Sequence, residues 1–78
     1  QQYSATAKQS PVEQLSNREL EVFEFIGRGM MTSDIARNLN LSIKTIESHR
    51  ANIKKKLGLS SAGELARSAM QWSIESEQ

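Results

Sequence analysis

Between Ser42 and Gly58 runs the stretch IKTIESHRANIKKKL, whose pattern constrains the fold more tightly than any other part of the chain. Ser42 suits an N-cap, because its hydroxyl can accept from a backbone N–H of the first turn. Gly58 suits a stop, because glycine enters the left-handed conformation at little cost. At 100° per residue, Ile46, His49, Ile53 and Leu57 share one side. Lys44, Glu47, Ser48, Ala51 and Lys55 lie opposite, flanked by Arg50 and Lys54. The expected helix buries an apolar rail and turns a basic surface of short side chains outward. Such a surface suits the major groove of a duplex, so the stretch reads as a recognition helix over about 43–57, with the rest of the chain as its mount.

The mount is helical as well. Leu15 to Gly29 has a capping box in Ser16-Asn17-Arg18-Glu19, and Leu15 and Leu20 have the spacing of a hydrophobic staple. Val22, Phe23, Phe25 and Ile26 supply its apolar bulk, and capping is the role expected of Glu19. Thr32 to Leu39 reads as a short second helix, with Thr32 or Ser33 as cap and Ile35, Ala36 and Leu39 inward. The Asn40-Leu41 link allows only a tight turn before Ser42, which makes a helix-turn-helix pattern, and Ala36 is small enough for close crossing. A second capping box, Ser61-Ala62-Gly63-Glu64, opens a last helix running to about Ser73. Leu65, Ala69 and Trp72 form its core stripe. A second stripe, Ala62, Ala66 and Met70, is expected either to meet another copy of the chain or to be small exposed residues of no consequence. Residues 1–14 read as a flexible linker, from which Pro11, Val12 or Tyr3 could dock, residues 15–73 as the domain, and residues 74–78 as a frayed tail.

A chain of 78 residues has room for one small domain, burying about 60% of its unfolded surface. It has no cysteine and one histidine, which argues against disulfides, metal clusters and cofactors. No second acid, nucleophile or metal partner stands at catalytic spacing, so no enzyme is expected. With no apolar run near the roughly 20 residues of a membrane span, a soluble, cytoplasmic protein is expected. The net charge of +1 hides a segregation. Residues 44–56 carry Lys44, Arg50, Lys54, Lys55 and Lys56 against Glu47, whereas residues 13–24 carry Glu13, Glu19, Glu21 and Glu24 against Arg18. One face therefore holds a positive potential that the total conceals.

The run LSNRELEVFEFIGRGMMTSDIARNLNLSIKTIESHRANIKKKLGL, continued through Glu64-Leu65, resembles the LuxR-type (GerE/NarL-like) helix-turn-helix domain. The likeness covers about residues 15–72 and is carried by Leu15, Arg18-Glu19, Val22, Ile26, Gly29, Ile35-Ala36, Leu39, Ser42, Thr45-Ile46, His49, Ile53, Lys56-Leu57-Gly58 and Glu64-Leu65. It implies an all-α, four-helix bundle whose third helix enters the major groove and whose fourth makes a dimer contact. The segment TIESHRANIKKKLG looks most like the response-regulator branch, which implies a receiver-like N-terminal domain ahead of this one, a two-component system, and RNA polymerase as a candidate partner. There are three departures from the family pattern. Met31 stands where Ser is usual, Ala62 where Arg is common, and Glu47 where several members carry Lys, which should change the base that is read.

Affinity for double-stranded DNA should come mostly from phosphate contacts and specificity from base edges. Thr32, Ser33, Thr45, Arg50, Lys54, Lys55 and Lys56 are the expected phosphate contacts, several of them near helix N-termini that favour anions. Lys44, Glu47, Ser48 and Ala51 are the expected base contacts: Lys44 donates to guanine, Glu47 accepts from cytosine N4, and Ala51 meets a thymine methyl. Glu47 could instead pair within its helix with Arg50 or a neighbour such as Asn52. His49 could pack, contact a phosphate or act as a pH switch. Ala62, Ala66 and Met70 are the expected homodimer contact on DNA. Two other readings stay open: a sigma-factor-like promoter reader, and a helical protein–protein module for an acidic partner.

Overall fold

The computed structural model describes residues 11–76, and these form four α-helices, with no strand among them. They are α1 (Asn17–Gly27), α2 (Thr32–Leu39), α3 (Ile43–Leu57) and α4 (Ala62–Ser76). The expected all-α, four-helix architecture with its helix-turn-helix is therefore what the chain adopts. A short 3-10 turn, Pro11–Gln14, precedes α1.

Local chemistry sets the boundaries. Ser16 caps α1 by accepting from the Glu19 amide at 3.1 Å, and the Glu19 carboxylate accepts from the Ser16 amide at 2.9 Å, which completes the box. α1 stops at Gly27, two residues before the expected Gly29. Gly29 then takes φ +85°, and the Met30 amide donates back to the Phe25 carbonyl. α2 spans the expected residues, but Met31 occupies its N-cap position and offers no side-chain oxygen. The cap expected at Thr32 or Ser33 is thus absent, because both already lie inside the helix. Asn40 adopts φ 58° and ψ 45°, a left-handed turn that its short polar side chain tolerates, and the Leu41 amide closes onto Ala36. Ser42 caps α3 by accepting from the Thr45 amide, and Gly58 ends it at φ +70°.

The core is Val22, Phe23, Ile26, Ile35, Ala36, Ile46, Ile53, Leu65 and Ala69. α1 is the hub: it packs on α4, α3 and α2, while α2 packs also on α3. Phe23 and Trp72 meet with ring centroids 5.6 Å apart. At the α1–α4 crossing, a Cβ on Gly27 would lie 2.5 Å from the Ala69 carbonyl oxygen, so only glycine allows this approach.

Both ends of the domain are longer than expected. Pro11–Gln14 forms its turn where a flexible linker was expected, because Val12 packs against the core and its carbonyl accepts from the Leu15 amide. α4 continues through Ile74 to Ser76, past the expected end at Ser73, and a Gln71–Glu75 hydrogen bond of 2.9 Å spans its last turn. The expectations for Tyr3, the rest of the linker and residues 77–78 lie outside the described residues.

Candidate nucleic-acid interface

The surface to be explained is the outer side of α3. Ile46 and Ile53 are wholly buried, and Leu57 and His49 are half-buried at the rim of the rail. Lys44, Glu47, Ser48 and Ala51 are all exposed, as is Lys55. Arg50, Lys54 and Thr45 are half-buried along the edges. α4 leaves this surface open because it packs principally on α1. Every side chain named as a base contact therefore lies on one uncovered face.

Charge on that face is uncommitted. Among the described residues, Lys44, Glu47, Arg50, Lys54 and Lys55 enter no ion pair; the pairs formed are Arg18–Glu21, Arg37–Asp34 and Lys56–Glu19. Glu47 makes none of the intrahelical pairings that competed with base contact, so its carboxylate can accept from a ligand. Thr45 is engaged at the start of α3: the Ser42 hydroxyl donates to its hydroxyl oxygen at 2.8 Å, which leaves the Thr45 O–H free to donate outward.

The structure brings Thr32 and Arg50 together, although 18 positions separate them in the chain (50 − 32). Both line one hollow of about 330 Å³ beside the start of α2, shared with Ile26, Met30, Met31 and Ala66. With no side-chain cap on α2, its first backbone N–H groups remain open to an anion at that end, and Ser33 stands exposed beside them.

Lys56 is the exception among the expected phosphate contacts. Its ammonium donates to Glu19 Oε1 at 2.7 Å, and the same oxygen takes the Ser16 amide. Burial alone would raise the Glu19 pKa. The Lys56 ammonium and the Ser16 amide overcome it, so the carboxyl titrates below its ordinary value. Lys56 thus ties the end of α3 to the start of α1, and its ammonium is already engaged there, unlike those of Lys54 and Lys55.

The family comparison agrees with this geometry. A model of the family described as bacterial regulatory proteins, luxR family, matches residues 13–69. The chain belongs to the LuxR family of bacterial regulatory proteins. It is accordingly a DNA-binding helix-turn-helix domain of a transcriptional regulator. The uncharacterized response regulatory protein YgeK of Escherichia coli (strain K12) is 41% identical over 69 residues, which is 88% of this chain and 47% of that protein. The transcriptional regulatory protein UhpA of the same organism is 46% identical over 63 residues, 81% of this chain and 31% of that protein. The oxygen regulatory protein NreC of Staphylococcus aureus (strain JH9) is 43% identical over 61 residues, 78% of this chain and 28% of that protein. This LuxR-family chain spans less than half the length of each of these relatives.

On α4 of the LuxR-family domain, Ala62 and Met70 are exposed and Ala66 is half-buried, with Met70 at 51% exposure. Ser61 accepts from the Glu64 amide as expected, but the Glu64 carboxylate reaches Ser60, taking both its amide and its hydroxyl. Those bonds, the Ser60 amide foremost, hold the exposed Glu64 carboxyl below its ordinary pKa. The reciprocal half of the second capping box is therefore displaced by one residue. Sequence spacing missed the Glu19–Lys56 pair because its members are 37 positions apart and Glu19 already had a local role. Among the described residues no helix is long and apolar enough to cross a membrane, and no group of His, Asp and Glu is placed to hold a metal.

Proposed function

We propose that this domain is the DNA-reading output half of a two-component response regulator, acting in the cytoplasm and joined in the whole protein to a receiver-like N-terminal domain. Its α3 lies in the major groove, with Lys44, Glu47, Ser48 and Ala51 on base edges. Thr32, Ser33, Thr45, Arg50, Lys54 and Lys55 hold the phosphates on either side. Two copies pair on DNA through Ala62, Ala66 and Met70, and RNA polymerase is the partner through which occupancy alters transcription. The observation that carries the reading is the outer face of α3: uncovered, cationic at its edges, and holding an unpaired carboxylate at Glu47. That YgeK is a response regulatory protein and UhpA a transcriptional regulatory protein supports the system assigned.

The test is selection of bound sequences from random duplexes with this chain, followed by affinity measurement over a range of salt. The expected result is one preferred sequence whose affinity falls linearly, on logarithmic axes, with salt concentration. Binding with no sequence preference would overturn the proposal and favour an acidic protein partner instead. Tight capture of the polymerase core by the isolated domain would favour the sigma-factor-like reading.

A further inference from the structure

Ile43 is the first residue of α3 and is 49% exposed. It is the one large apolar side chain exposed on that helix, among Lys44, Glu47, Ser48, Ala51, Asn52, Lys55 and Lys56. Neither packing nor local propensity accounts for it. It lies outside the core cluster and its fringe, and a β-branched residue is a middling helix former. A lone exposed isoleucine is ordinary on a protein surface; the position of this one is not. Residues 43, 47 and 51 form a row at four-residue spacing, so Ile43 heads a ridge whose next two members, Glu47 and Ala51, are proposed base contacts. N-terminal residues of a recognition helix are the ones that reach base edges. Four residues of helix rise about 6 Å, a little under two base-pair steps.

We propose that Ile43 is a specificity-determining residue that packs on a thymine C5-methyl group one or two base pairs from the base read by Glu47. The proposal rests on the major-groove reading above. Ile43 offers no hydrogen bond, and the thymine methyl is the apolar feature that a base pair presents in the major groove. A branched aliphatic side chain at that position therefore discriminates by burying the methyl, which cytosine and uracil lack.

The experiment uses the duplex that the chain itself selects. Each thymine is replaced in turn by uracil, which removes the methyl and keeps the hydrogen-bonding edges. Affinities are measured for the unaltered chain, Ile43→Val and Ile43→Ser. One thymine per half-site, one or two pairs from the Glu47-dependent position, is expected to lose about fourfold on replacement, the worth of one buried methyl. Ile43→Val keeps that loss and Ile43→Ser abolishes it. A selected site with no thymine there, indifference of the unaltered chain to the replacement, or a full loss persisting in Ile43→Ser overturns the proposal; the last result would give the methyl to another side chain, such as Ala51. A chain that selects no sequence overturns the major-groove reading and this proposal with it. One that selects a sequence without regard to the methyl overturns this proposal alone.

Discussion

Lys54, Lys55 and Lys56 are consecutive, yet they have different work. Lys56 is bound to a nearly buried Glu19, whereas Lys54 and Lys55 enter no ion pair among the described residues. Lys54→Ala should weaken binding to all duplexes alike and lower the salt slope by about 1. Lys56→Met should leave that slope unchanged and cost about 1–2 kcal/mol of stability in urea unfolding, a modest figure because the Lys56 side chain is still 39% exposed. Glu19 also makes stability depend on pH. Its folded pKa lies below the ordinary glutamate value, so its contribution is complete above that value and is lost as pH falls through the folded one. Unfolding curves of Glu19→Gln and the unaltered chain should therefore converge on acidification below about pH 4.5. Glu47→Ala is a different kind of change: it should alter the preferred base at one position per half-site, by roughly 1–3 kcal/mol of discrimination, read out by repeating the selection.

At the scale of elements, the sequence named three N-caps correctly and missed the fourth, although that helix too starts where expected. Ser16, Ser42 and Ser61 each accept from the amide three residues on, as their spacing required. α2 starts without a side-chain cap, and its free amides lie where a phosphate is proposed, so a rule for isolated helices failed at a site whose partner is outside the chain. The α1–α4 crossing depends on Gly27, which no pattern along α1 singled out. Alanine there would gain helix propensity of about 1 kcal/mol, but its Cβ would meet the Ala69 carbonyl oxygen at 2.5 Å. Gly27→Ala should therefore be net destabilising by about 1–3 kcal/mol, measured by thermal or urea unfolding.

In the whole molecule, with α1 as hub, the outer side of α3 is exposed, and α4 exposes Ala62 and Met70 while Ala66 is half-buried at the hollow it shares with Thr32 and Arg50. The proposed division of labour assigns DNA to α3 and a second copy to α4. The isolated domain should sediment mainly as a monomer, and binding to a two-half-site duplex should be cooperative; Met70→Glu should remove the cooperativity and leave single-half-site affinity within about twofold. A tight dimer without DNA, or cooperativity untouched by Met70→Glu, would count against that assignment. Helix positions, the tight turn after α2 and the outward side of α3 were legible in the chain, because caps, glycines and 3.6-residue periodicity act within a few residues of themselves. The Glu19–Lys56 pair, the hollow shared by Thr32 and Arg50, the glycine contact at the α1–α4 crossing and the docking of Val12 were not. Each joins residues from different elements, and the identity of such neighbours depends on how helices cross, which spacing along one helix does not encode.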